Sequence, residues 1–88
     1  MLRITKMHKN GAKVVLKLEG KIADQWAALL EGECRSLLRH HKKLYLDVAG
    51  VDYIDDGGME VIQNLPNHVR ISNAPGFIRE LLRTGGRP

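Results

Sequence analysis

The chain has 88 residues, 43% of them hydrophobic and 27% charged, which is the balance of one soluble globular domain. A single cysteine excludes an internal disulfide, no Cys/His spacing fits a zinc site, and no apolar run is long enough for a membrane span or a signal-peptide core, so a reducing, cytoplasmic setting is expected. The net charge of +4 comes from 14 Lys and Arg scattered along the sequence without a nucleic-acid motif, and reads as a solvated surface, with no nucleic-acid partner.

Taken in order, Leu2 to Met7 alternates, with Leu2 and Ile4 on one side and Arg3, Thr5 and Met7 on the other, and predicts an edge strand. Asn10-Gly11 suits a tight type I′ turn. Val14, Leu16 and Leu18 then alternate with Val15, Lys17 and Glu19 in a second strand over 13–19, closed by Gly20. Asp24 is placed as the N-cap of a helix from Gln25, its carboxylate accepting from the free N–H groups of the first turn. Trp26, Leu29, Leu30, Cys34, Leu37 and Leu38 recur at helical spacing and predict an inward face as far as His41, with Glu31, Gly32, Glu33, Arg35 and Arg39 turned outward. His40 and His41, adjacent at the helix end, point about 100° apart and make a poor chelating pair.

Leu44 to Val48 predicts the next strand, Ala49-Gly50 a bend, and Val51, Tyr53 and Ile54 a return to apolar contact. Met59, Val61, Ile62 and Leu65 mark a short helix stopped by Pro66. Val69 to Ser72 reads as a strand, and Asn73-Ala74-Pro75 opens a last helix whose inner face is Phe77, Ile78, Leu81 and Leu82, ended by Gly85 and Gly86. The order β-β-α-β-α-β-α predicts an α/β domain over residues 1–88 with a mixed sheet, its later strands parallel. A domain this short buries only roughly 60–65% of its unfolded surface, so a partner or a homo-oligomer would add to its stability.

The informative stretch is Leu44 to Ile62, where every charged residue before Glu60 is an aspartate in an otherwise basic chain. In a sheet with parallel strands, functional groups collect where strands end and helices begin, which brings Asp24 and the bend Asp55-Asp56-Gly57-Gly58 to one end of the molecule. Capping of the helix explains one aspartate. Two aspartates followed by two glycines also leave a surface nearly free of side chains, suited to the close approach of another backbone.

The run LDVAGVDYIDDGGMEVI resembles the signature of STAS domains, the family of anti-sigma factor antagonists, in which a strand of the form L-D-L/V-x-x-V-x-x-I/F-D-S-S/x-G-L leads into a helix. Leu46, Asp47, Val51, Ile54, Asp55 and Gly58 stand at matching positions, VVLKLEGKI resembles the family's earlier strand and glycine, and SNAPGFIRELLRTGG its last strand and helix. The resemblance implies a STAS-like four-stranded mixed sheet with helices mainly on one face, acting as a non-catalytic binding module without a cofactor. The implied partners are anti-sigma-type serine kinase ATPases or, in the alternative, the ATPase of an ABC-type phospholipid transporter, with no insertion into a membrane. The implied contact residues are Asp24, Asp55, Asp56, Gly57, Gly58 and Met59.

Three departures from the family pattern bear on mechanism. The family's phosphoacceptor is the Ser or Thr directly after the motif aspartate, and here that position is Asp56, with no Ser or Thr anywhere from Leu44 to Ile71. A carboxylate carries −1 where a phosphoserine carries about −1.5 to −2, so the phosphoswitch is expected to be absent. The acidic residue that follows the family's strand-two glycine falls on Ala23 in the closest register, with Asp24 one later. The helix after Gly58 is short, which reduces the surface it offers. An enzymatic alternative takes Asp47, Asp52, Asp55 and Asp56 as a receiver-like Mg²⁺ site.

Overall fold

A computed structural model of the chain describes residues 1–10, 13–40, 43–66 and 69–84. The elements are β1 (Leu2–Asn10), β2 (Lys13–Ile22), α1 (Gln25–Leu38), β3 (Lys43–Ile54), α2 (Asp56–Gln63), β4 (Val69–Ser72) and α3 (Gly76–Thr84). They form one sheet in the order β1-β2-β3-β4, with β1 antiparallel to β2 and the pairs β2/β3 and β3/β4 parallel. The mixed sheet expected from the order of elements is the one observed, and β1 is an edge strand as its lysines suggest.

Strand alternation sorts the two faces. Val14, Leu16 and Leu18 of β2 and Leu44, Leu46 and Val48 of β3 are fully buried, whereas Val15, Lys17, Tyr45 and Asp47 between them are only half-buried. One core cluster joins the buried strand residues to Ala27, Leu30, Cys34 and Leu37 of α1, Ile62 of α2 and Ile78 of α3, so the helices gather on one face of the sheet. On the other face Lys13 lies over the Tyr45 ring, 4.7 Å from its centroid.

Several boundaries differ from the sequence expectations. β2 does not close at Gly20 but continues to Ile22, and Gly20 is a kink with φ of 104°. A side chain there would run into the carbonyl of Met1, whose oxygen accepts from the Lys21 N–H at 2.8 Å. β3 likewise does not stop at Ala49-Gly50; the twelve-residue strand absorbs the bend as irregularities in its pairing with β2. α1 ends at Leu38, leaving His40 exposed beyond it, while His41 lies outside the described residues. Asn10 is still in β1, paired with Lys13, and the expected turn at Asn10-Gly11 falls partly outside the described residues, as do Gly85 and Gly86. Pro75 precedes α3, its carbonyl accepting from the N–H groups of Ile78 and Arg79 at 3.0 Å each.

Three side chains assigned inward are exposed: Leu29 at 47%, Tyr53 at 48% and Phe77 at 43%. Each sits at the border of an apolar stripe, where periodicity gives a direction but not the width of the neighbour that covers it. Cys34, by contrast, is fully buried, and burial, aided by Glu33 and Glu31, pushes its thiol up to about 12. No helix among the described residues is long and apolar enough to cross a membrane.

Candidate functional site at the acidic strand–helix junction

β2 and β3 run parallel and their ends are in register, with Ile22 opposite Ile54. The loops that follow, into α1 and α2, therefore emerge side by side, as expected for Asp24 and the Asp55 bend. Asp55 joins them. Its Oδ1 accepts the Gly58 N–H at 2.7 Å and its Oδ2 accepts the Asp24 N–H at 3.0 Å. The Asp55 N–H in turn donates to the Ile22 carbonyl at 3.2 Å, and the Met59 N–H donates to the Asp55 carbonyl at 2.9 Å. The N–H groups of Gly58 and then Asp24 hold the Asp55 carboxyl below its usual range, against a smaller opposing effect of burial. Asp55 is thus the N-cap of α2 and is committed to structure through both oxygens.

Asp24 corrects a sequence expectation. Its side chain makes no capping hydrogen bond, and its backbone stands at φ 54° and ψ −134°, a region open to glycine and sparsely used by other residues. The first turn of α1 is served instead by backbone carbonyls: the Trp26 N–H donates to Ala23 and the Ala27 N–H to Asp24. A non-glycine held in this conformation costs on the order of 1–3 kcal/mol, and it leaves the Asp24 carboxylate exposed at the same end as the Asp55 bend.

The two glycines do different things. Gly58 is buried, and a side chain on it would collide with the Ile22 carbonyl and come within 3.0 Å of the Cγ2 atoms of Ile22 and Ile54. It seats α2 against the strand ends. Gly57 is exposed, and a side chain there would meet only Asp55 Oδ1, at an ordinary 3.5 Å. Nothing inside the molecule requires glycine at 57. Asp56 and Gly57 are exposed in the first turn of α2, and Met59 is half-buried beside them.

Asp47 and Asp52 do not join this group. Asp47 pairs in register with Lys17 and Ser72, and its Oδ1 accepts the Ala49 N–H at 3.0 Å. Asp52 is exposed and faces Lys21 at 3.7 Å. Among the described residues no three His, Cys, Asp or Glu side chains converge as a cation site would need, so the receiver-like reading has no geometric basis. Sequence reasoning missed Tyr53, an exposed ring just before the bend with the Lys21 ammonium 5.6 Å from its centroid. Its position in an apolar pattern hid it.

A four-stranded mixed sheet with three helices, carrying an aspartate-capped helix after its third strand, defines a STAS-type fold, and solved structures bear this out. The chain is similar to the anti-sigma factor antagonist SpoIIAA in its unphosphorylated form, with a TM-score of 0.76 and 10% identity over 94% of this chain and 84% of that one. It is also similar to an anti-sigma factor antagonist from Mycobacterium paratuberculosis, with a TM-score of 0.70 and 18% identity over 97% of this chain and 79% of that one. No protein-family model matches the sequence. No curated protein matches it either.

Proposed function

We propose that the chain is a non-catalytic, partner-binding regulatory module of the anti-sigma factor antagonist kind, and that it docks through Asp24, Asp55, Asp56, Gly57, Gly58 and Met59, with Tyr53 at the rim. The observation that carries the reading is the Asp55 carboxylate, which ties two loops of distant sequence into one surface. That surface is acidic and bare at Gly57, and it keeps Asp24 in a backbone conformation that residues other than glycine seldom adopt. Such strain at an exposed carboxylate fits recognition better than stability.

Within this surface Asp55 and Gly58 are the frame, and Asp24, Asp56 and Gly57 are the parts offered to a partner. The partner expected from the family resemblance is a serine-kinase-type ATPase in the cytoplasm. Asp56 has no hydroxyl to receive a phosphoryl group, so the module presents a fixed negative charge at the position where the family resemblance implies a phosphorylated Ser or Thr.

Affinity capture from the native host tests this, with wild type, Asp56→Arg and Asp56→Ser as baits. Recovery of a kinase-like ATPase by wild type, its loss with Asp56→Arg, and ATP-dependent phosphorylation of only the serine variant are expected. Equal recovery by wild type and Asp56→Arg would contradict the docking face, and phosphate on Asp56 of the native protein would contradict the fixed charge.

A further inference from the structure

Three helices do not cover four strands. β1 is at the sheet edge, and α1 packs over β2 and β3, so the inward side of β1 is left beside the helix. The result is a groove of about 350 Å³ lined by Leu2, Ile4, Lys6 and Leu16 of the sheet and by Leu29 and Glu33 of α1. Leu2 and Leu16 form a buried floor, while Leu29 stands 47% exposed on the wall.

The flank of α1 above the groove has a pattern of its own. Gln25, Leu29, Gly32 and Ser36 follow one another at i, i+4, i+7 and i+11, the spacing of a helix–helix seam, and all four are exposed and uncharged. A side chain on Gly32 would meet nothing within 4 Å, so its own fold does not require glycine there. The charged residues Glu31 and Arg35 lie off this seam, and Arg39, the next position of the spacing, falls at the C-cap just beyond α1.

We propose that this flank and groove form a twofold interface with a second copy of the chain. The two α1 helices pack antiparallel along the seam, each Leu29 filling the other copy's groove over β1. Self-association is favoured over a foreign partner because the patch carries both halves of a contact: a half-exposed leucine on the groove wall over an apolar floor, and Lys6 and Glu33 lining the same groove with opposite charges. An isologous contact needs both features on the same surface. Gly32 then serves to let the two helix backbones approach.

Sedimentation velocity on the full chain from micromolar to millimolar concentration tests the interface. A monomer–dimer equilibrium is expected. Leu29→Asp should weaken it by about a hundredfold, because twofold symmetry removes two leucine contacts, each good for about tenfold or more. Gly32→Gln should weaken it too while leaving the monomer at least as resistant to denaturant, which separates loss of the interface from loss of the fold. Lys6→Glu and Glu33→Lys should each weaken it, and the double variant should restore it. A monomer throughout the range would overturn the proposal. So would a dimer indifferent to Leu29→Asp and Gly32→Gln.

Discussion

The Asp55 carboxylate accepts the backbone N–H of Asp24 across 31 residues of sequence, at 3.0 Å, while its other oxygen caps α2 at Gly58. One ionised side chain therefore sets the position of two helix starts. Asp55 is held below the usual carboxylate range by these donors, so the stability it contributes is fully present above the unfolded-state value of about 3.9 and is lost as pH falls through its lower folded value. Thermal melts of wild type and Asp55→Asn across pH 2–7 should show a smaller acid-induced fall in Tm for the variant, whose Tm at neutral pH should already be lower, since an amide cannot accept at both ends. Parallel Tm–pH curves would show that the bridge is not the titrating link.

The adjacent glycines should respond to alanine in opposite directions. Gly58→Ala places a methyl group against the Ile22 carbonyl and should cost about 1–3 kcal/mol. Gly57→Ala meets only an ordinary contact and should be neutral or stabilise by up to about 1 kcal/mol, yet weaken partner capture. Urea unfolding of both variants, beside the capture assay, reads the two effects separately.

Asp24 should separate strain from recognition. Asp24→Gly relieves the φ 54° conformation and should stabilise the fold by about 1 kcal/mol, whereas Asp24→Ala keeps the conformation and should leave stability nearly unchanged. Both remove the carboxylate, so both should lose partner affinity.

Cys34 should be inert in the native state. Its thiol is pushed up to about 12 by burial and lies on the core-facing side of α1. Alkylation by iodoacetamide at neutral pH should proceed only through unfolding, accelerating in parallel with the unfolded fraction as urea is added. Rapid labelling without denaturant would mean that α1 opens locally.

Much of this molecule was legible in the sequence because its signals are local. The alternation of Val14, Leu16 and Leu18 fixed a face of β2, the spacing of Leu30, Cys34 and Leu37 fixed a face of α1, and β4 has the bounds its four residues suggest. The misses concern relations between elements. Leu29 reads as core until it is known that α1 sits over β2 and β3 and leaves a groove between itself and β1. Asp24 reads as a cap until Asp55 Oδ2, from the next strand's end, takes its N–H. Strand order depends on pairings that no short pattern encodes.

The docking face is tested most directly by a ¹H–¹⁵N titration of the labelled chain with the ATPase recovered from its host. The account predicts that shifts and broadening concentrate at Asp24 and at Tyr53 through Met59, and that Asp56→Arg abolishes them. Binding that instead perturbs the outward sheet residues Lys13, Lys17 and Tyr45, and survives Asp56→Arg, would contradict it.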